Sequence, residues 1–465
     1  MIVYDSVDIL LNDLKLSDGM QLSFHHHLRD GDHVINQIMN AVNARDIHDL
    51  RLHPSSIFPS YTAILEALKR NRISQLTTSY MNGPVAEYCM KHPLKHGLHM
   101  QTHGGRARAI MTGETVIDIA FIAAPTVDVL GNATGTIGPA ACGSLGYAIA
   151  DAKYAKTVIL VTDNIVDHIE NPQIKKDTVS AILKLKSIGD PKGIISGTTT
   201  ITNDPVGIQI AKKATRLIEA LGYIKPGFSF QTGAGGISLK ISENIKQLMQ
   251  QNNIQSSFIT GGITQYHVEM LNLGMVKSLY DVQCFDLVAV DSLKNNPKHR
   301  SMSAHEYANP ENPNRVIKNL DVVVLGATEI DLDFNVNVTT DSYNMIIGGS
   351  GGHSDTAEDA KLSIIVAPLI KARTPIIKQR VNTITTPGHT IDCFVCERGI
   401  AVNPRRQDLI KILEKSHVSI IPIEDLLALS HDYTGIPESF PSKKEVIGNV
   451  YDRHGRIIDY LYLKE

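Results

Sequence analysis

The chain has 465 residues with 45 basic against 48 acidic side chains, a formal charge of −3. That length exceeds what one hydrophobic core ordinarily organises, so two α/β domains are expected, residues 1–195 and 196–465. The charges are interspersed with no run of one sign, which argues against nucleic acid or an anionic membrane as partner and leaves small molecules or other proteins.

In chain order, the opening MIVYDSVDILLNDLKL alternates apolar with acidic residues and lacks the basic start and apolar run of a secretory signal. No window reaches the roughly 20 apolar residues a membrane span needs, and a cytoplasmic location is expected. A strand-like MQLSF precedes a helix expected from Asp32. ISQLTTSYM, IDIAFIAA and TVILVTDNIV follow as strands. The next helix, over 206–221, is well signed, with Asp204 as N-cap, Pro205 in the first turn, apolar Val206, Ile210, Ala214, Leu217, Ile218 and Leu221, and Gly222 as the stop. FDLVAV, LDVVVLGA and LSIIVAPLI read as further strands, and the tail VIGNVYDRHGRIIDYLYLKE as a hairpin turning near His454-Gly455. Strands alternating with helices predict mainly parallel α/β sheets.

The sequence also echoes itself. DIAFIAAPTVDVLGN (Asp118 to Asn132) and DVVVLGATEIDLDFN (Asp321 to Asn335) share Asp, Ala, a β-branched residue before Asp, and Asn at identical spacing. DAK recurs at Asp151 and Asp359 before a strand, and Gly19 and Gly227 open GMQLSF and GFSFQT. A duplicated α/β unit is expected, joined near residue 195.

Five dispersed cysteines point to reduced thiols. Cys393 and Cys396 form a C-x-x-C inside the strand-like TIDCFVCERGIAV, which sends them to opposite faces, and no second pair completes a zinc site.

Open parallel sheets bind ligands at the carboxyl ends of their strands. Four stretches follow strands there. In SFHHHLRDGD, His25 and His27 share a side and His26 points away; hydrogen bonding to an anionic substrate, or ordinary half-buried histidines, is favoured over metal. MQTHGGRARA sets Gly104 and Gly105 beside Arg106 and Arg108, a pattern suited to carboxylate capture and also common on surfaces. FQTGAGGIS has Ser238 where a dinucleotide fingerprint would place glycine, so its glycines count as bare amides able to face an anion. In IIGGSGGHSD, Gly348-x-Ser350-x-Gly352 fits a nucleophile elbow, but His353 lies too close along the turn to fold back on Ser350, and DTAEDAK allows only about two helical turns. An oxyanion cradle of backbone amides is the favoured reading.

Taken together, GMQLSFHHHLRDGDHVINQIMNAV, FQTGAGGIS, FNVNVTTDSY, IIGGSGGHSDTAEDAKLSIIVAPL and ERGIAVNPRR resemble the citrate lyase alpha subunit family, over most of the chain. The resemblance implies two CoA-transferase-like (NagB/RpiA-like) α/β halves related by duplication. It implies that citrate displaces acetate from the acetyl thioester of a gamma acyl carrier subunit, after which a beta subunit cleaves citryl carrier, all within an oligomeric complex. The carrier brings a CoA-like prosthetic group, so no cofactor and no metal are expected on this chain. Where related CoA-transferases carry a catalytic glutamate, Thr260-Gly261-Gly262 offers none, and no covalent enzyme thioester is expected.

On this reading Gly349, Ser350, Gly351 and Gly352 donate to the oxyanion, and His353, His26 and Arg106, with His25 and His27 nearby, are candidate carboxylate binders. Gly233, Gly235, Gly236, Gly261 and Gly262 would face the thioester arm, and Glu397 and Arg398 would orient substrate or form a structural ion pair. The sequence departs from the family pattern at Asn344, His389 and Cys396. The alternatives are thioester hydrolysis, CoA transfer to another carboxylic acid, and a non-catalytic scaffold.

Overall fold

Apolar runs with no polar face, such as IAFIA at Ile119–Ala123, where every residue is buried, can be satisfied only with layers on both sides. They assemble into two mainly parallel sheets in the computed structural model, which describes residues 1–195, 199–437 and 445–464. The expected domain start at residue 196 lies outside the described residues.

The first sheet runs Ile2–Tyr4, Ala181–Lys184, Thr157–Thr162, Ile119–Ala123, Gln21–Phe24, Leu50–Pro54, Ile73–Thr78, Leu98–Met100, Val446–Tyr451, Ile457–Tyr462. The second runs His299–Ser301, Val276–Cys284, Ser256–Ile263, Ser229–Thr232, Val322–Gly326, Leu362–Val366, Cys393–Val395, Ile400–Val402. Only the last pair of each sheet is antiparallel.

The echo is structural. Ile119–Ala123 and Val322–Gly326 hold corresponding places beside Gln21–Phe24 and Ser229–Thr232. Asp118 accepts from the Gln21 amide at 2.8 Å, as Asp321 does from Ser229 at 2.8 Å. Asp128 Oδ1 accepts from the amides of Leu130 (3.0 Å) and Asn132 (2.9 Å), and Asp331 Oδ1 from those of Asp333 (3.1 Å) and Asn335 (2.9 Å). The duplicated α/β class expected from the sequence is the class observed.

Helix Pro205–Ala220 begins as expected, Asp204 accepting from the Gly207 amide at 2.8 Å, and stops before Gly222 at φ +74°. FDLVAV is a correction. Asp286 Oδ1 accepts from the Ala289 amide at 2.8 Å and starts a helix over Leu287–Asn295, with Val288 exposed and Ala289 buried. A six-residue apolar run carries too little periodicity to separate strand from buried helix.

The tail forms the expected hairpin, but it extends the first sheet by pairing parallel to Leu98–Met100. Arg453 at its turn also grips Asp359 of the second half, Nη2 to Oδ1 at 2.7 Å. One apolar cluster runs through both halves, including Leu22 and Ile159 of the first and Ile210 and Val322 of the second; another, including Val323, Ile365 and Phe394, lies within the second half, and a third including Ala107, Tyr147, Val282, Met302 and Tyr307 joins the halves again. Cys393 and Cys396 fall in different clusters, as opposite faces require, and all five thiols are free and buried.

Candidate active site

The carboxyl ends of both sheets face one another across a cleft of about 390 Å³. From the first half come His26, Ser56, Phe58, Tyr80 and His103, each just beyond a strand end. The second half gives Gln231 to Ala234, Gly262, Gln283, Phe285 and the run Gly349 to His353. Gln283 crosses the join, its Nε2 donating to the His26 carbonyl at 3.0 Å.

The glycines of IIGGSGGHSD are bare because the chain is wedged. A Cβ on Gly349 would meet the Ser79 carbonyl, and Tyr80 Cα at 2.8 Å; one on Gly352 would meet Tyr307 Oη at 2.8 Å. Gly351 has φ +52°, the left-handed region that favours glycine. Its amide donates to Ser79 O at 3.0 Å and its carbonyl accepts from the His103 amide at 2.8 Å, so Gly351 is a strut and not the oxyanion donor expected. The amides of Gly349, Ser350 and Gly352 have no acceptor among the described residues, and all three residues line the cleft. Unpaired amides at a polar wall are what a developing oxyanion needs.

His353 is a second correction. Its Nε2 bonds Gly326 O at 2.9 Å and its Nδ1 bonds Thr386 Oγ1 at 2.8 Å, leaving neither ring nitrogen for a substrate. Burial pushes it down to about 4, so it stays neutral. Ser350 Oγ accepts from the Ser354 amide at 3.3 Å, and no Ser350–His353 side-chain bond exists, which removes the elbow hydrolase.

Arg106 is the third. It binds Asp151 twice, at 2.7 and 2.8 Å, and also donates to Ser23 Oγ and the His53 carbonyl, deep in the first half. Burial alone would raise the Asp151 carboxyl; Arg106 and then His25 beside it more than reverse that and hold it below the usual carboxylate range. His25 Nε2 lies 3.1 Å from Asp151, and His27 Nε2 bonds Ala123 O at 2.8 Å. Two of the three histidines are therefore interior packing, stacked at 6.1 Å, and His26 alone reaches the cleft.

His26 Nδ1 meets Ser55 Oγ at 2.6 Å, and its ring stacks on Tyr147 at 4.5 Å. Burial, then His103 and Arg29, drive it well below the usual histidine range, and burial holds His103 at about 3. Among the described residues no three His, Cys, Asp or Glu side chains converge as a metal site would require.

The remaining expected residues divide. Gly233 and Gly262 line the cleft; Phe285's ring occupies the space a side chain at 262 would take. Gly261 lies behind them, packed on Gln231, while Gly235 caps helix Gly236–Gln251 and Gly236 begins it, outside the lining. Glu397 accepts from the Leu369 amide at 2.9 Å, and Arg398 lies over the Tyr433 ring, both away from the cleft. Arg398 Nε lies 4.0 Å from Glu397 Oε1, so the two form the structural ion pair that was the alternative expected and do not reach the cleft.

Sequence reasoning passed over Arg29, Tyr147, Gln231 and Tyr307. Arg29 stood inside the quoted histidine stretch, and its Cζ lies 5.2 Å from the ring centres of both Phe58 and Phe285. Tyr307 and Gln231 bond one another at 2.9 Å above Gly352. Only folding brings these together.

The family described as citrate lyase, alpha subunit (CitF), matches residues 2–463. The chain is 41% identical over 448 residues to the citrate lyase alpha chain of Haemophilus influenzae, covering 96% of this chain and 90% of that one. It is 40% identical over 460 residues to that of Klebsiella pneumoniae, covering 99% and 91%. A Streptococcus mutans crystal structure described as the citrate lyase alpha subunit in complex with citrate superposes with a TM-score of 0.97 at 39% identity, covering 100% of this chain and 91% of that one. The malonate decarboxylase alpha subunit of Acinetobacter baumannii, at 13% identity and TM-score 0.67 over 93% and 89% of the two chains, shares the fold alone. This chain belongs to the citrate lyase alpha subunit family.

Proposed function

We propose that the cleft between the halves carries out the citrate CoA-transferase step of a citrate lyase complex, moving a carrier-bound thioester from acetate to citrate. The family assignment gives the reaction. The observation that carries the mechanism is the lining itself: free amides at Gly349, Ser350 and Gly352, and no carboxylate, thiol or amine side chain among the described lining residues. With no side chain there of the kind that would form an enzyme thioester, the nucleophile on this reading arrives with the substrate.

A citrate carboxylate attacks the acetyl carbonyl; the tetrahedral oxyanion is held by the amides, each donor contributing roughly 3 kcal/mol. Collapse expels the carrier thiolate and leaves a citryl–acetyl anhydride. The thiolate then attacks the citryl carbonyl, acetate departs with the bridging oxygen, and citryl carrier remains. The CoA-like arm, a gamma carrier and a beta subunit that cleaves citryl carrier complete the reading, in the reducing cytoplasm that five free cysteines suit.

Labelled acetyl-thioester carrier incubated with the protein tests it. Acetate is released when citrate is added and not before; release without citrate would make the protein a thioester hydrolase, and none under either condition would refute the assignment.

A further inference from the structure

We infer that Arg29 is the specificity-determining cation of this cleft, its guanidinium receiving a carboxylate of citrate that does not react while another attacks beside the glycine cradle. The inference deepens the transferase reading and rests on it. Citrate brings up to three negative charges into a site whose histidines His26, His103 and His353 are all held towards the neutral form. Arg29 is the one fixed cation among the described lining residues.

The obvious competitor, Arg106, has its charge neutralised by Asp151. The Arg29 guanidinium, by contrast, makes neither a hydrogen bond nor an ion pair among the described residues. It is held instead by two aromatic rings, Phe58 from the first half and Phe285 from the second, each centred 5.2 Å from Cζ. Both rings lie within cation–π range of Cζ and neither offers the guanidinium an acceptor, so its N–H donors remain for two bonds to a carboxylate.

The backbone supports the same conclusion. Arg29 has φ +52°, a conformation costly for a non-glycine residue, and it is fixed there by Tyr61 Oη and the Asp32 amide donating to its carbonyl at 3.2 and 3.1 Å. Such a conformation persists where the surroundings impose it, and here it launches the side chain across the join. The site is whole only when both halves contribute a ring. Burial also presses the guanidinium below its ordinary value, a cost that a bound carboxylate would relieve.

Citrate binding to the full chain, read by calorimetry, tests this with Arg29→Gln, Arg29→Lys and Phe285→Leu. Arg29→Gln weakens citrate at least 30-fold with its melting temperature within a few degrees of the parent. Arg29→Lys, charged but unable to form the bidentate contact, recovers only part of the loss, and Phe285→Leu weakens binding threefold to tenfold. Citrate bound by a folded Arg29→Gln within threefold of the parent overturns the inference. If that variant does not fold, parental affinity in both Arg29→Lys and Phe285→Leu overturns it. Arg29-dependent citrate binding without any acetyl transfer would overturn the transferase reading and leave only the citrate-binding role of Arg29 standing.

Discussion

Replacing Gly349 by alanine sets a methyl group against backbone that cannot rotate away. Its Cβ would lie 2.8 Å from Tyr80 Cα and 2.8 Å from Met100 Cε, and closer still to the Ser79 carbonyl, where ordinary contact begins at 3.4 Å. The Met100 methyl can swing aside, but the Ser79–Tyr80 backbone is anchored by the amides of Met81 and Gly351, which bond Gly348 O and Ser79 O. The cradle must therefore retreat by about 0.6 Å or more, carrying the Gly349 and Ser350 amides off the carbonyl oxygen. Displacements near 1 Å cost about 100-fold in well-oriented reactions, and losing one oxyanion donor costs roughly 100- to 1,000-fold in turnover. Citrate-dependent acetate release should fall about 100-fold or more, with an overpacking penalty of about 1–3 kcal/mol in thermal unfolding. Turnover within threefold of the parent would refute the assignment of these amides to the transition state.

Arg106→Gln strands Asp151 in the interior and should cost about 3–5 kcal/mol in denaturant unfolding, since breaking one side of a buried pair leaves an uncompensated charge; a loss below 1 kcal/mol would show that the pair is not the anchor described. Acid should weaken the fold between pH 7 and 5. His27, His53 and His103 are held at about 3 and His267 and His353 at about 4, in each case first by burial. The unfolded chain takes up these protons near pH 6.5 while the native chain refuses them, which removes about 2 kcal/mol per histidine by pH 5. Asp32 and Asp355, raised to about 7 by burial, oppose this by binding protons in the native state, as do Asp286 and Asp331, raised by burial too. His26, His99 and His305 are also lowered, so histidines outnumber the opposing carboxyls, and the melting temperature should fall from pH 7 to 5; a flat or rising profile contradicts the burial pattern. Asn344 sits at φ +61° and donates to the Tyr462 carbonyl at 2.7 Å. Asn344→Ala should cost about 1–2 kcal/mol in thermal unfolding and Asn344→Gly less, because glycine keeps the backbone and loses only the bond.

What could be read in the sequence is what local chemistry encodes. Asp128 and Asp331 each capture the amides two and four residues on, so their spacing to Asn132 and Asn335 repeats visibly in both halves. Gly349 and Gly352 were legible because the close approach of Tyr80 and Tyr307 leaves no room for a side chain at either position. Asn344, a departure from the family pattern, is intelligible once its φ is known, since asparagine tolerates the left-handed region better than most residues. What stayed hidden depends on distant partners. Arg29 and Arg106 look alike beside histidine and glycine, and nothing local reveals that Asp151, 45 residues beyond Arg106, neutralises one and leaves the other open. Likewise nothing near residue 450 announces that the hairpin will pair with Leu98–Met100.

The central claim, that citrate's own carboxylate and no group of the protein receives the acetyl group, is tested most directly by a single turnover with citrate labelled with heavy oxygen in its carboxylates. The account predicts that acetate from the first turnover carries one labelled oxygen, handed over through the anhydride. First-turnover acetate without the label would mean that the oxygen came from an enzyme carboxylate or from water, and would contradict it.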